Sequence, residues 1–468
     1  MWERVFPKTT AMIRDAGIDF TMGSVSTPIC CPSRTITVAG RYSHNNGYRK
    51  PASGQCMHVN AKEAVFSNTS IFQRLHAEGI ATWMSGKLTN DQPDYFCPGG
   101  KVGDTTGFTG LGVACDYNSY TGTTWVSKDP ATGDAKFEKL DGSKQTVYQT
   151  SQIGNRTVAF VEWAIQANMP FFAWVGPHAP HYPAMPAPWA EHDFDNETAP
   201  RVPSYNHSTA HHHQMVSDNP VITDKQASFI DLHWRDRLGA TRAVDDIIAA
   251  IYTSLHSAGR TNTYFLLSSD HGYHLGNLNV PCSKEQPYQS DMLIPTWMTG
   301  PGIKGGQKVD LLISNVDYTP TFLDLLDVSY GPDDYDGKSF ASVAITEPNP
   351  YFSPKSTQER TEVSATWRDA LLVEYLSVGT YYSDHCAMFQ ATDKWEGEDV
   401  HAPRANPEGV LWYVDSTKSN TWRSLRIKNA THDMIYTEFD PTFKFTWDSL
   451  QFIELFDESS DPWSLSNL

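Results

Sequence analysis

The stretch TPICCPSR, residues 27–34, sets two adjacent cysteines ahead of a proline, a serine and an arginine. A thiol can act as a nucleophile, a metal ligand or half of a disulfide. A vicinal pair is poorly suited to an ordinary structural disulfide between distant strands, and it lacks the CxxC spacing of a zinc or redox motif. Other residues that could do chemistry punctuate the chain: Lys87, His178 and His181 in PHAPHYP, Asp270, His271 and His274 in SDHGYHLG, and Lys284. Lysines neutralise anionic oxygens, histidines carry protons, and a carboxylate beside an imidazole can hold a cation. The HAPH spacing is not read as a metal site, because its prolines oppose the helix such a ligand pair needs. His211, His212 and His213 read as a polar run in a loop.

The elements that must position these residues alternate between strand and helix. IDFTMGSVS (18–26) reads as a strand, and Pro32 can open a helix running to Arg41. SIFQRLHAEG (70–79) carries Ile71, Phe72 and Leu75 at helical spacing with Gly79 placed to cap it. IATWMSGK (80–87), PFFAWVG (170–176), TYFLLSSD (263–270) and MLIPTWMTG (292–300) read as apolar strands. Helices are expected over 151–168, 224–258 and 319–328. The second of these places Val244, Ile247, Ile248, Ile251 and Leu255 on one face. Residues 91–144, rich in Gly, Thr and Asp, read as loops or short hairpins. Such alternation implies an α/β fold with a mostly parallel sheet covered on both faces. In open α/β sheets ligands gather beyond the carboxyl ends of strands. Cys30, Lys87, the PHAPHYP histidines and the Asp270–His271 pair all follow strands in that sense.

After about residue 345 the long helices stop. DALLVEY, GVLWYVD, SLRIKN, MIYTEFD and QFIELFD are short strand-like runs, so a catalytic domain over 1–345 and an antiparallel C-terminal subdomain over 346–468 are expected. The 468-residue chain is long enough for both, and its net charge of −18 disfavours a general nucleic-acid binder. Seven cysteines are too few for a disulfide-built fold, and an odd number leaves at least one thiol unpaired. No run approaches the ~20 apolar residues of a membrane span, and the first residues, MWERVFPKTT, lack an apolar signal core. Glycosylation sequons stand at Asn68, Asn155, Asn196, Asn206 and Asn429.

CCPSR followed by TITVAGRYSHNNGY closely resembles the type I sulfatase signature, C-x-P-S-R with a downstream Gly-Lys/Arg and His. The likeness continues through SGKLTN, PHAPHYPAMPAP, SSDHGYHLG, GPGI, VDYTPTFLDLLDV, WRDALLVEY and the closing FIELFDESSDPWSLSNL, nearly the whole chain. The double cysteine, YHLG and LLVEY are most similar to the N-acetylglucosamine-6-sulfatase and heparan sulfatase branch. The resemblance implies an alkaline-phosphatase-like fold and hydrolysis of sulfate esters on a sulfated carbohydrate such as N-acetylglucosamine 6-sulfate. It implies that a formylglycine-generating enzyme oxidises Cys30 to formylglycine, with Pro32, Ser33 and Arg34 completing its recognition signal and Cys31 at the variable position. The hydrated aldehyde would present two geminal hydroxyls: one attacks sulfur, and the other collapses to expel the sulfate.

The remaining roles are likewise implied position by position. Arg34 orients the formylglycine, and His44 assists collapse of the sulfated intermediate. Lys87 and Lys284 bind sulfate oxygens, and His181 with Lys284 protonates the leaving oxygen. Asp270 and His271 are ligands of a divalent cation, calcium in most relatives. His274 and Asn90 line the substrate pocket. Family location would be secreted, lysosomal or vacuolar.

Some positions depart from the pattern. Relatives open with an apolar strand ending in an Asp-Asp metal-ligand pair well before the cysteine motif. This sequence starts about where that strand should have ended, and Asp15 and Asp19 do not replace the pair. The expectation is an incomplete gene model or fragment, whose missing exon also encodes a signal peptide, with a genuinely truncated pseudoenzyme as the competing explanation. Ala39 stands where the signature usually has Thr, and Gln289 where Glu is usual. Two alternatives accompany the sulfatase reading: an inactive binder of sulfated glycans, and a phosphodiesterase or phosphonate hydrolase of the same superfamily.

Overall fold

The structure is a computed structural model, and it describes residues 2–45, 56, 59–141, 147–207, 210–351, 367–377, 420–440, 447, 450 and 452–468. The expected GVLWYVD strand and Cys386 lie outside these residues. In chain order the strands are β1 (Ile18–Phe20), β2 (Gly23–Ser24), β3 (Ala81–Gly86), β4 (Gly110–Ala114), β5 (Thr124–Lys128), β6 (Ala135–Lys139), β7 (Phe171–Gly176), β8 (Phe265–Leu267), β9 (Trp297–Thr299), β10 (Gln307–Val309), β11 (Ile313–Ser314), β12 (Ala370–Tyr375), β13 (Trp422–Lys428), β14 (Asp433–Phe439) and β15 (Phe452–Asp457).

They form a sheet of order β6-β5-β4-β3-β7, a second of order β10-β1-β9-β8, the pair β11-β2, and a C-terminal sheet of order β12-β13-β14-β15. Strand β3 is buried at all six positions and runs parallel to both neighbours, β4 and β7. A strand covered on both faces reads as a continuous apolar run, which is why it was visible in sequence. Helices Gln149–Gln166 and Asp224–Ser257 cover one face, joining Trp83, Phe160, Val161, Ile251 and Leu255 in one core. The two helices touch at Gly154, where a Cβ would stand 2.4 Å from the Ile247 side chain. The long helix starts at a capping box: Thr223 accepts the Gln226 N–H, and the Gln226 side chain accepts the Thr223 N–H at 2.8 Å.

The sheets are more mixed than expected. The 18–26 run is two short strands, with β1 parallel to β10 but antiparallel to β9. In 292–300 only Trp297–Thr299 is a strand, since Pro295 has no N–H to give a ladder. The 91–144 region holds the antiparallel β4-β5-β6 edge. Strand β4, GLGVA, was hard to see because glycines replace β-formers where large groups cross. A Cβ on Gly110 would lie 2.8 Å from the Trp83 ring.

The C-terminal sheet is antiparallel throughout. Its face packs Leu371, Val373, Tyr375, Trp422, Ile435 and Phe439 against Met292 and Leu312 of the preceding part. Among the described residues no helix is long and apolar enough to cross a membrane.

Candidate active site

Cys30 is the first residue of the helix Cys30–Ala39, entered from an extended Ile29 and closed by Gly40 at φ 64°. Successive helical residues point about 100° apart, and this resolves the double cysteine. Cys30 turns its Sγ to within 3.3 Å of His271 Nε2, while Cys31 faces the core and is disulfide-bonded to Cys56. The expectation that a vicinal pair disfavours a structural disulfide fails here, because the two neighbours serve different faces of one helix. Cys97 pairs with Cys115, Cys282 is disulfide-bonded, and Cys30 is the free thiol among the described residues.

The helix start is pinned to two strand ends. Arg34 Nε donates to Asp270 Oδ2 at 2.7 Å and its Nη1 donates to the Lys87 carbonyl at 2.9 Å. Ser33 Oγ donates to the Asp270 carbonyl at 2.6 Å, and Asn315 Nδ2 donates to Ser33 Oγ at 2.9 Å. Lys87, directly after β3, is buried with its ammonium 4.7 Å above the Tyr117 ring. Lys284 is buried too, in a loop where Ser283 and Glu285 both hold left-handed backbones, φ 92° and 85°. The Glu285 Oε2 accepts the Tyr375 hydroxyl at 2.6 Å, and its carbonyl accepts Trp422 Nε1 at 3.0 Å.

These charges act on one another strongly. Burial opposes ionisation of Cys30, but Lys284, Lys87 and His271 outweigh it and hold the thiol well below its ordinary range. Burial brings Lys87 down to about 8. Burial would raise Asp270, yet Arg34, His271 and Lys87 keep it far below the usual carboxylate range. For His271 burial favours the neutral ring, and the Asp270 and Cys30 charges reverse this, raising it. His178 and His181 follow β7 with ring centroids 4.7 Å apart. Burial, and then the surrounding cations, hold both far below the ordinary histidine value, so both rings are neutral.

The sequence-derived candidates therefore divide. Cys30, Arg34, Lys87, Asp270, His271, His181 and Lys284 share one electrostatic cluster. His44 is instead bonded through Nδ1 to both oxygens of Glu374 in β12, at 3.0 and 2.9 Å, and is not among the charges acting most on Cys30. His274 does not line a pocket: it is wholly buried, with Nε2 3.0 Å from Asp291 Oδ1 and Nδ1 3.2 Å from the Asn277 carbonyl. Its ring thus ties the loop to the Asp291 carboxylate and the Asn277 backbone. Asn90 keeps a buried Oδ1 with no hydrogen-bond partner. His212 and His213 are buried against Phe456 and Phe439, so that run is packing rather than a free loop. Among the sequons, Asn68, Asn155, Asn196 and Asn429 are exposed. Asn206 is not a free acceptor, since its amide bridges Ile222, donating to the carbonyl at 3.1 Å and accepting the N–H at 2.6 Å.

Sequence reasoning passed over His178 in favour of His181. Yet His178 is buried and neither ring nitrogen has a hydrogen-bond partner. Two histidines three positions apart in PHAPHYP left the motif ambiguous, and only the fold separates them. Ligand atoms of Cys30, Asp270 and His271 lie within 4.8 Å of one another, the span of a coordination sphere. Asp270 is the one carboxylate in that group, so these residues fit part of the oxygen-rich shell a hard dication takes.

The sulfatase family model matches residues 3–328. The chain belongs to the sulfatase family. Hydrolysis of sulfuric esters is thus its reaction class. The N-acetylglucosamine-6-sulfatase of Capra hircus is 27% identical over 98% of this sulfatase and 76% of that relative. A solved structure in complex with its substrate, D-glucosamine-2-N,6-O-disulfate, superposes with TM-score 0.69 at 19% identity, covering 99% of this chain and 88% of that one. A phosphonate monoester hydrolase from Silicibacter pomeroyi shares the fold at TM-score 0.63 and 18% identity, covering 97% and 85%. The alkaline-phosphatase-like fold of this sulfatase is shared by these neighbours.

Proposed function

We propose that this sulfatase removes sulfate from a 6-sulfated glucosamine unit of a glycan, using formylglycine at position 30. One observation carries the reading: the buried ammonium groups of Lys87 and Lys284 and the His271 ring converge electrostatically on Cys30 at a helix start. Burying two ammonium groups is costly and a bound anion offsets the cost, and a sulfate ester is the anion this family takes. The relatives named for N-acetylglucosamine 6-sulfate and the neighbour holding a sulfated glucosamine support the sugar.

The formylglycine, when formed, supplies a geminal diol as attacking group. The chain's own residues do the rest. Lys87 and Lys284 neutralise the non-bridging sulfate oxygens, where charge builds as sulfur becomes five-coordinate. Arg34 holds Asp270 and the Lys87 carbonyl in register with the helix start. His178 and His181 are neutral, so they orient the leaving oxygen, and the proton comes from an ammonium, Lys284. Asp270 and His271 would hold a divalent cation, which would supply further positive charge at the site. The disulfides and exposed sequons support passage through an oxidising, secretory compartment.

The test is expression with a formylglycine-generating enzyme, followed by peptide mass spectrometry at position 30 and sulfate release from N-acetylglucosamine 6-sulfate and an aryl sulfate. Aldehyde at position 30 with sulfate release is expected, and Cys30→Ala should be inactive. An unmodified thiol with undiminished turnover would sink the reading. Binding without release would favour an inactive glycan binder, and preferential cleavage of a phosphate diester would favour the phosphodiesterase alternative.

A further inference from the structure

Arg237 lies midway along the helix Asp224–Ser257. Its Nη1 donates to the Pro180 carbonyl at 2.9 Å, and the guanidinium stacks 4.2 Å over the Tyr273 ring. No carboxylate pairs with it among the described residues, and its other N–H groups find no protein acceptor there. Burial lowers its pKa while leaving it a cation, and the groups acting on it besides burial are two tyrosines, Tyr273 and Tyr120. A half-buried guanidinium without a counter-charge is unusual, because desolvating a cation is normally offset by an anion. Arginine is also the side chain whose fork matches planar or tetrahedral oxyanions.

Its position says which anion. Pro180 adjoins His181, whose ring feels Lys284 and Lys87, and Tyr273 stands two residues after His271. Tyr120, the other group facing Arg237, donates its hydroxyl to the His181 carbonyl at 2.8 Å and packs edge-on against His178. Arg237 therefore adjoins the segment that carries both histidines, through the Pro180 carbonyl, and shares Tyr120 with them. We infer that Arg237 recognises a second negative group on the substrate, distinct from the ester sulfate at position 30. The chemistry is an oxyanion carried near the scissile sulfate: an N-sulfate on the same glucosamine or the carboxylate of an adjoining uronic acid. This rests on the sulfated-sugar reading above and adds a specificity determinant to it.

The experiment compares four probes: glucosamine 6-sulfate, glucosamine bearing 2-N- and 6-O-sulfates, a uronic acid–N-acetylglucosamine 6-sulfate disaccharide, and 4-methylumbelliferyl sulfate. For the wild-type enzyme, kcat/KM should favour one doubly anionic sugar over glucosamine 6-sulfate by about 10-fold or more, the yield of one charge-assisted contact. Arg237→Gln should erase that preference while leaving the aryl sulfate within about 2-fold, and Arg237→Lys should recover part of it. Which sugar shows the preference separates N-sulfate from carboxylate. Equal losses on all probes would make Arg237 a structural support and overturn the inference, as would a wild-type enzyme indifferent to the second charge. The wild-type comparison stands even if Arg237→Gln does not fold. Binding to Cys30→Ala protein distinguishes the two readings. An Arg237-dependent preference in binding without sugar hydrolysis keeps this inference and overturns the function. Hydrolysis of glucosamine 6-sulfate without any such preference does the reverse.

Discussion

Lys87 and Lys284 differ from most lysines in being buried, and each acts electrostatically on Cys30. Each is worth most when charge develops on the sulfate, so Lys284→Ala should lower kcat/KM for a sulfate ester by about 100-fold or more. Steady-state kinetics on an aryl sulfate would show it. Lys87 also predicts a pH limb. Burial has brought it to about 8, and the Cys30 thiolate is the strongest influence raising it. Conversion of Cys30 to an uncharged aldehyde removes that support and moves Lys87 lower still. The alkaline fall in kcat/KM should therefore centre at or below about 8, and in Lys87→Arg, at a reduced rate, it should disappear. At this scale the sequence was informative where a residue follows a strand, as for Cys30, Lys87 and Asp270. It was silent where the neighbour arrives from far along the chain. Tyr117 beneath Lys87 and Arg237 carry no local motif, and the carboxylates that meet His44 and His274, Glu374 and Asp291, were likewise not signalled by the motifs that contain those histidines.

Among the elements, the loop holding Lys284 is tightly constrained. Two non-glycine residues at positive φ cost about 1–3 kcal/mol each and persist only where surroundings over-determine them. Here the determinants come from the C-terminal sheet: Tyr375 on the Glu285 carboxylate, Trp422 and Asn420 on its carbonyl. Tyr375→Phe and Trp422→Phe should then lower kcat by about 3- to 30-fold with little change in KM, although neither side chain is proposed to touch substrate. Equal effects on a substrate-independent measure such as protease resistance, with kcat unchanged, would deny the link. Sequence periodicity located the long helices and the buried β3 because their patterns are strong over many residues. It missed β4 and read the 18–26 run as one strand where the structure has two, because glycine-rich and two- or three-residue strands are specified by what packs on them rather than by their own composition.

Considered whole, the C-terminal sheet docks through buried carboxylates, and this makes docking sensitive to acidity. Glu454 is fully buried, accepts the His213 N–H at 2.7 Å and the Tyr288 hydroxyl at 3.1 Å, and is pushed up to about 7 by burial. A carboxyl whose folded value lies above its unfolded one favours the native state at low pH and loses that contribution as pH rises through the folded value. Buried neutral histidines act oppositely: His213 is held at about 4 and His233 at about 3 by burial. The wild-type profile therefore mixes both, and Glu454→Gln isolates one. Thermal denaturation should give equal Tm at pH 5 and a higher Tm for the variant at pH 8, whereas a variant less stable at both would contradict the protonated carboxyl. The overall architecture was legible because β3 is a buried apolar strand and the two long helices on it carry a sustained helical pattern. The pairing of Cys31 with Cys56 was not, and it bears on how the protein matures. While the chain is still open, two thiols one residue apart compete for the same partner. A slip of a single position would cross-link the would-be nucleophile and leave Cys31 idle, sealing a nearly native but barren molecule. If Cys30 is converted to the proposed aldehyde before the chain closes, it is withdrawn from that contest.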